Sequence, residues 1–266
     1  RFWLYLAGPV VVGVVYGAGS VGEFFSPLTA ALFLYFLVPA NVFLYGINDI
    51  FDQEVDQHNP KKDDGGREVR YEGNWIVPAV VLFSGALGAV FVPGLLSEGV
   101  VTLGAFYLLA TEYSAPPLRL KTKPFLDSLS NGLYILPGVL AFTALAGELP
   151  PAPAIVGGWL WTMAMHTFSA IPDIEPDRDA GIHTTATLLG ERGALLYCAC
   201  CWLVAAAVMA ILHPFLGAVF AVYPVFVVGI RVGDVAIDRA YWWFPVLNTF
   251  TGMLLTMGGI WRLLYA

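Results

Sequence analysis

Charge is scarce in this chain. Asp, Glu, Lys and Arg make up 12% of its 266 residues, about half the share that a soluble domain carries. The shortage is also uneven. Stretches 2–22, 24–48, 74–97, 128–147, 149–172 and 240–261 contain none of the four. Each is long enough to cross roughly 30 Å of hydrocarbon as a helix. Stretch 193–230 is uncharged too. It is too long for one crossing and reads as two, turning near His213-Pro214. Stretch 99–111 is short, but with its flanks it makes a ninth. The pattern excludes an ordinary soluble fold. The alternating polarity of a membrane β-barrel is also missing, which leaves helices as the way across. The first stretch has no small-residue cleavage site and is followed by further spans, so it reads as a span and not as a cleavable signal. Cysteine is nearly absent. Cys198, Cys200 and Cys201 share one apolar stretch, and their spacing suits neither a zinc site nor a disulfide framework. They read as packing residues. The 28 Gly and 18 Pro do not oppose helices, because both are frequent in membrane spans. The expected fold is all-α, an integral membrane bundle of nine transmembrane helices forming one domain over 1–266.

The few charges sort by side. Loops 48–73, 114–127, 173–192 and 231–239, with Arg1, hold 12 of the 13 basic residues. The intervening turns, at Glu23, Glu98, Glu148 and His213-Pro214, hold no Lys or Arg. The positive-inside rule puts the rich side in the cytoplasm. Arg262 is the exception and must snorkel. The rich face also carries 17 of the 20 acidic residues. Topology accounts for bases there but not for patterned carboxylates, so that face is expected to hold the active site of a multi-pass cell-membrane protein. Asp52 and Asp173 lie 121 residues apart, a faint sign of a four-helix repeat.

Two acidic clusters stand out. In the first, Asn48, Asp52 and Asp56 recur at i, i+4 and i+8. If the second helix continues through them, their oxygens share one face. In the second, Asp173 and Asp177 repeat the i, i+4 spacing. Like charges so placed repel and are costly at a membrane helix end unless something positive lies between them. Mg²⁺ fits, since it takes one or two carboxylates and shares the phosphate oxygens of a substrate. Two facing clusters could hold two or three such ions around one diphosphate, offsetting the charge that develops as it leaves. The bland alternative is solvated loop carboxylates, and for Asp49, Glu54, Glu175 and Asp179 it is equally good. The spacing of a calcium-binding helix–loop–helix is absent. A diphosphate also needs cationic donors. Lys61, Lys62, Arg67 and Arg70 lie in one rich-side loop, Arg119, Lys121 and Lys123 in another. Each could equally be a topology determinant. Arg67, Lys121 and Lys123 are the preferred donors.

Taken together, Asn48-Asp49-x-x-Asp52-x-x-x-Asp56, Asp173-x-x-x-Asp177 with Gly181 and Thr185, and the segment from Tyr113-Ser114-Ala115-Pro116-Pro117 to Lys121 resemble the three signatures of the UbiA superfamily of intramembrane prenyltransferases. Order and spacing agree over nearly the whole chain. The resemblance implies nine helices around a central cavity, Mg²⁺ as cofactor, and transfer of a prenyl group from its diphosphate to a lipophilic acceptor. It implies metal binding by Asn48, Asp52, Asp56, Asp173 and Asp177. It places Tyr113 near the reacting carbon and Lys121 on the diphosphate; Ser114, Lys123 and Arg67 are the further expected substrate-binding residues. Many members carry an Arg-Pro-Leu-Pro-type segment after the first cluster. Here the chain reads Asn59-Pro60-Lys61-Lys62 and then Arg67-Glu68-Val69-Arg70-Tyr71, which resembles the carotenoid branch, the lycopene elongases.

The expected donor is therefore dimethylallyl diphosphate and the expected acceptor lycopene or a related polyene. The lipid bilayer is the other partner, and nucleic acid is not among them. Within the same chemistry, the rival is a prenyltransferase for a quinone precursor or a glycerol-phosphate lipid. A rival of another class is a cation or proton-coupled transporter, but that would need its ionisable groups near the midplane. His166, seven residues before Asp173, shares its helical face. It is either a proton acceptor or a packing residue. Asp127 and Asn131, also i and i+4, either line a cavity mouth or cap a helix. The many aromatics are interfacial anchors, and some could shield an allylic cation.

Overall fold

The computed structural model describes residues 4–52 and 71–265. Among the described residues the chain is all-helical. Helix α1 (Leu4–Gly17) is followed by the single turn α2 (Val21–Phe24), then α3 (Pro27–Leu37) and α4 (Pro39–Phe51). Next come α5 (Ile76–Ala86), which tightens into a 3-10 helix at Leu87–Gly94, and α6 (Ser97–Ser114). After a 3-10 turn at Leu120–Thr122, α7 (Leu126–Ser130) runs through another at Asn131–Ile135 into α8 (Leu136–Ala146). Helix α9 (Ala152–Ala170) passes through a 3-10 turn, Ile171–Asp173, into the short α10 (Ile174–Asp179). The chain ends in α11 (Thr185–Leu212), α12 (Pro214–Val232) and α13 (Ile237–Tyr265).

Five of these stretches are long and apolar enough to cross a membrane: Val21–Phe51, Ile76–Gly94, Leu126–Ala146, Thr185–Leu212 and Pro214–Val232. Helix α1 is apolar but has only 14 described residues. Helices α6, α9 and α13 carry more polar groups, among them Glu98, His166 and Asn248. Large apolar side chains such as Leu82, Val101, Ile211 and Val225 face outward, as they do in a multi-pass protein solvated by lipid.

The second span is two helices. Pro39 disfavours the α conformation at Val38, whose ψ is −70° at φ −121°, and it has no N–H to continue the ladder. Asn41 offsets the loss by donating from Nδ2 to the carbonyls of Phe36 (2.8 Å) and Leu37 (3.0 Å). Helices α1 and α8 meet backbone to backbone. A Cβ at Gly13 would lie 2.1 Å from the Gly138 carbonyl oxygen, so only glycine allows the approach. Helix α11 is kinked at Gly190, which has φ 66°, a conformation glycine adopts without steric cost.

Two large apolar cores and a smaller one, around Met209 and Phe220 between α11 and α12, fill the interior. One large core gathers Leu6, Val10, Phe36, Phe106 and Leu140 from α1, α3, α6 and α8. The other large core gathers Phe168, Cys198, Trp202, Tyr223 and Phe244 from α9 and α11–α13. Tyr134 packs against both. All three cysteines are free. Cys198 is the buried one, its Sγ 3.3 Å from the Ala164 carbonyl. Arg262 does more than reach for water: its Nη2 donates to the carbonyls of Tyr16 and Ala18 (both 2.9 Å). These lie at the end of α1, where helical carbonyls otherwise lack partners and a cation is favoured by the helix dipole.

Candidate active site

The first wall of the site is the last turn of α4. Asp52 is its C-cap, and the Asp52 N–H still bonds the Asn48 carbonyl at 2.9 Å. The helical register therefore persists, and both side chains look the same way. Three groups from the last residue of α6 and the segment after it hold them. Ser114 Oγ donates to Asn48 Oδ1 (2.8 Å), and Lys121 Nζ donates to the same oxygen (3.0 Å). Lys121 Nζ also pairs with Asp52 Oδ1. Arg119 Nη2 stands 3.6 Å from Asp52 Oδ1 and donates to the Phe51 carbonyl at 3.2 Å. Arg119 itself sits in the left-handed region (φ 46°, ψ 56°), which is uncommon for a residue with a Cβ.

The second wall is the exit from α9. Pro172 sits inside the 3-10 turn that carries Asp173, and Asp177 follows in α10. The chain then reverses. Ile182 N–H bonds the Asp177 carbonyl at 2.8 Å, and Gly181 takes φ 68°. Arg178 turns away from the aspartates. Its Nη1 meets Glu175 (2.9 Å), and its Nη2 meets the Thr187 carbonyl (3.0 Å).

Between the walls lies a cavity of about 780 Å³. Asn48, Asp52, Tyr113, Lys121, Asp173 and Asp177 all line it. Ser114 is buried behind Asn48 and reaches the cavity only through it. Lys123 does not line it. Its side chain is exposed beside a neighbouring hollow shared with Arg178 and His183. The backbone explains this: Lys123 turns its carbonyl to the N–H groups of Leu126 and Asp127 (3.1 and 2.9 Å) and so starts α7. Asp56 and Arg67 lie outside the described residues, as do Glu54, Lys61, Lys62 and Arg70.

Asp127 neither lines the mouth nor caps its own helix. It is fully buried and accepts from Thr185, 58 residues on, through the backbone N–H (2.9 Å) and the hydroxyl. Asn131 does line the cavity. Its Nδ2 donates to the Asp127 carbonyl at 2.6 Å. The sequence reading missed four cavity tyrosines, Tyr5, Tyr45, Tyr134 and Tyr241. Two had a readable signal: Tyr45 lies three residues before Asn48 and Tyr134 three after Asn131, the spacing of one helix face.

The donor set fits a hard divalent cation. It comprises one amide oxygen and three carboxylates, all oxygen ligands, on opposite sides of one cavity. Among the described residues, no three acidic or thiol or imidazole groups converge as a ready-made cage. That suits Mg²⁺, which keeps waters and shares phosphate oxygens instead of filling an all-protein shell.

A helical bundle with apolar outer faces, paired oxygen donors across a tyrosine-lined cavity and a lysine at its rim has the make-up of a membrane-embedded transferase. The chain matches the UbiA prenyltransferase family over residues 6–261; it belongs to that family and is a prenyltransferase. It is 60% identical over 265 residues to the lycopene elongase/hydratase of Haloarcula japonica, covering 100% of this chain and 90% of that protein. To the lycopene elongase/hydratase of Halobacterium salinarum it is 58% identical over 266 residues, covering 100% and 96%. Its fold is that of a UbiA homolog from Archaeoglobus fulgidus solved with DMAPP and Mg²⁺. The TM-score is 0.71 at 17% identity, over 99% of this chain and 96% of that one.

Proposed function

We propose that the protein transfers a C5 dimethylallyl group from its diphosphate to a long polyene such as lycopene. The observation that carries this reading is the end-to-end identity, near 60%, with two lycopene elongase/hydratases. The cavity supports it. Away from its rim the wall holds five tyrosines, Met165 and Ala170, with Asn131, His166 and Ser169 among them and no lysine or arginine. The aromatic faces accept a hydrocarbon, and no fixed cation is there to offset a buried carboxylate.

In this reading Asn48, Asp52, Asp56, Asp173 and Asp177 hold Mg²⁺, which supplies charge neutralisation at the diphosphate. Lys121 and Arg67 donate to the diphosphate oxygens, and Ser114 orients Asn48. The allylic C–O bond breaks with its electron pair on the diphosphate. The π pair of the acceptor forms the new C–C bond. Tyr113 presents its ring to the cationic centre, and the aromatic lining shields that centre from water. Nine spans place the diphosphate end in the cytoplasm. Cysteines placed at Thr122 and Asp234 then react with impermeant thiol reagents from that side, and one at Glu148 from the other. Labelling of Thr122 and Glu148 from one side sinks this topology.

The deciding experiment incubates membranes with Mg²⁺, dimethylallyl diphosphate and lycopene. Products heavier by one and then two C5 units are expected, with or without added water. Lycopene returned unchanged while 4-hydroxybenzoate or a naphthoate is prenylated would move the protein to the quinone branch.

A further inference from the structure

The segments that carry the two walls of the cavity meet at a joint outside it. Asp127 lies in the first turn of α7, six residues after Lys121. Thr185 opens α11, eight residues after Asp177. Three hydrogen bonds make the joint. The Thr185 N–H donates to Asp127 Oδ2 (2.9 Å), and the Thr185 hydroxyl donates to Asp127 Oδ1. The Phe125 N–H donates to Thr185 Oγ1 (2.7 Å). Asp127 and Thr185 are both 0% exposed. His166 Nε2 stands 3.7 Å from Asp127 Oδ2, beyond hydrogen-bond reach.

The joint does more than cap a helix. Thr184 and Thr187 already form a capping box at the start of α11. A buried carboxylate is a costly acceptor, and what it adds is strength, since hydrogen bonds to an ionised acceptor are about twice as strong as neutral ones. Phe125 is held at φ 66°, which is unfavourable for a bulky residue and persists only where its surroundings enforce it. The Thr185 hydroxyl is one such enforcing group. Packing alone does not set the spacing here. Beside the joint the same two segments are parted by the hollow between Lys123 and Pro124 on one side and Ile182, His183 and Leu188 on the other. Gly181 to Thr184 meanwhile line the cavity itself. The chain from Asp177 onward is thus open on one flank and anchored at its far end by Asp127.

We propose that the Asp127–Thr185 clasp sets the spacing of the two metal-binding walls, and that Asp127 and Thr185 are positioning residues for Mg²⁺ and the diphosphate. The proposal rests on the prenyl-transfer reading above. Lys121, which grips Asn48 and Asp52, belongs to the Asp127 side of the clasp. Asp177 belongs to the Thr185 side. Mg²⁺ tolerates little departure from octahedral geometry, so donors divided between two walls hold it well only at one wall spacing. The clasp acts on that spacing through the backbone. It works through Phe125 toward the Lys121 turn, and through residues 181–184 toward Asp177.

The test uses the intact protein and two readouts. One is the rise in Tm that Mg²⁺ and inorganic diphosphate give together. The other is the Mg²⁺ concentration for half-maximal turnover of dimethylallyl diphosphate and lycopene in liposomes. A wild type whose Tm ignores Mg²⁺ and diphosphate sinks the prenyl-transfer reading and this proposal with it. Thr185→Val and Asp127→Asn are expected to raise half-saturating Mg²⁺ about tenfold or more and to shrink the Tm rise. Thr185→Ser, which keeps the hydroxyl, restores both. Tyr107→Phe deletes hydrogen bonds to Tyr35 and Gly85 away from the cavity. It is expected to lower the ligand-free Tm and leave half-saturating Mg²⁺ unchanged. If Asp127→Asn does not fold, the two Thr185 variants decide. Half-saturating Mg²⁺ unchanged in Thr185→Val overturns the proposal, and so does a Thr185→Ser no better than Thr185→Val. An equal rise in Tyr107→Phe overturns it too, since that marks a general loss of stability.

Discussion

The two walls of the cavity carry the same spacing and are built differently. Asn48 and Asp52 close a regular helix, yet the groups that grip them come from Ser114, Arg119 and Lys121, more than 60 residues away in sequence. Asp173 and Asp177 straddle a change from 3-10 to α-helix, and the chain reversal that fixes Asp177 is local, through Ile182 and Gly181. Arg178, in the same short helix as Asp177, turns to Glu175 and Thr187. One wall thus has its geometry set by tertiary contacts and its charge met by the 115–123 segment. The other has its geometry set by the backbone. A repeat seen at the level of spacing is not a repeat in how the two walls are built.

The largest effect should be shared by both walls. Asp52→Ala and Asp173→Ala are each expected to lower turnover about 1,000-fold, with the protein still extractable and folded. EDTA should do the same to the wild type, and Mg²⁺ should restore it. Full activity in EDTA would remove the metal from both walls at once. The next effect should separate them. Lys121→Ala removes a charge-assisted donor to Asn48 and Asp52 and is expected to cost about 100-fold in kcat. Ser114→Ala, one shell behind, should cost about 10-fold. Arg178→Ala should cost less than either, since that side chain faces away from the aspartates. Equal losses in Lys121→Ala and Arg178→Ala would break the asymmetry.

What was legible in the sequence was whatever depends on near neighbours. The uncharged stretches gave the long helices, and the His213-Pro214 turn falls between α11 and α12. The i, i+4 spacing put Asn48 with Asp52, and Asp173 with Asp177, in one cavity. Contacts between distant segments were not legible. Asp127 reads as a cap or a mouth residue because its periodicity pairs it with Asn131, whereas its side chain is claimed by Thr185. The Val38-Pro39 break was hidden because the apolar run continues through it unchanged. Proline did mark the position, but the compensating Asn41 bonds make the break tolerable inside one span. The kink at Gly190 was hidden differently: Glu191 and Arg192 follow it and read as loop, whereas the helix continues through them.

The smallest effect is the sharpest test of the wall comparison, because it concerns two lysines two residues apart. The sequence offers Lys121 and Lys123 as equal donors to a diphosphate. The 3-10 turn Leu120–Thr122 ends between them, and Lys123 leaves it extended, at φ −122° and ψ 115°. Lys121 therefore enters the cavity while Lys123 faces the hollow beside Arg178. The backbone carbonyl of Lys123 is needed to start α7, and alanine supplies that carbonyl as well as lysine does. An exposed lysine contributes on the order of 1 kcal/mol or less through surface charge. Lys123→Ala should therefore change kcat/KM by about fivefold at most, with the loss fading at high salt. A loss as large as that of Lys121→Ala, persisting at high salt, would mean that Lys123 joins the diphosphate after all. The basic side of the cavity would then extend to the second wall.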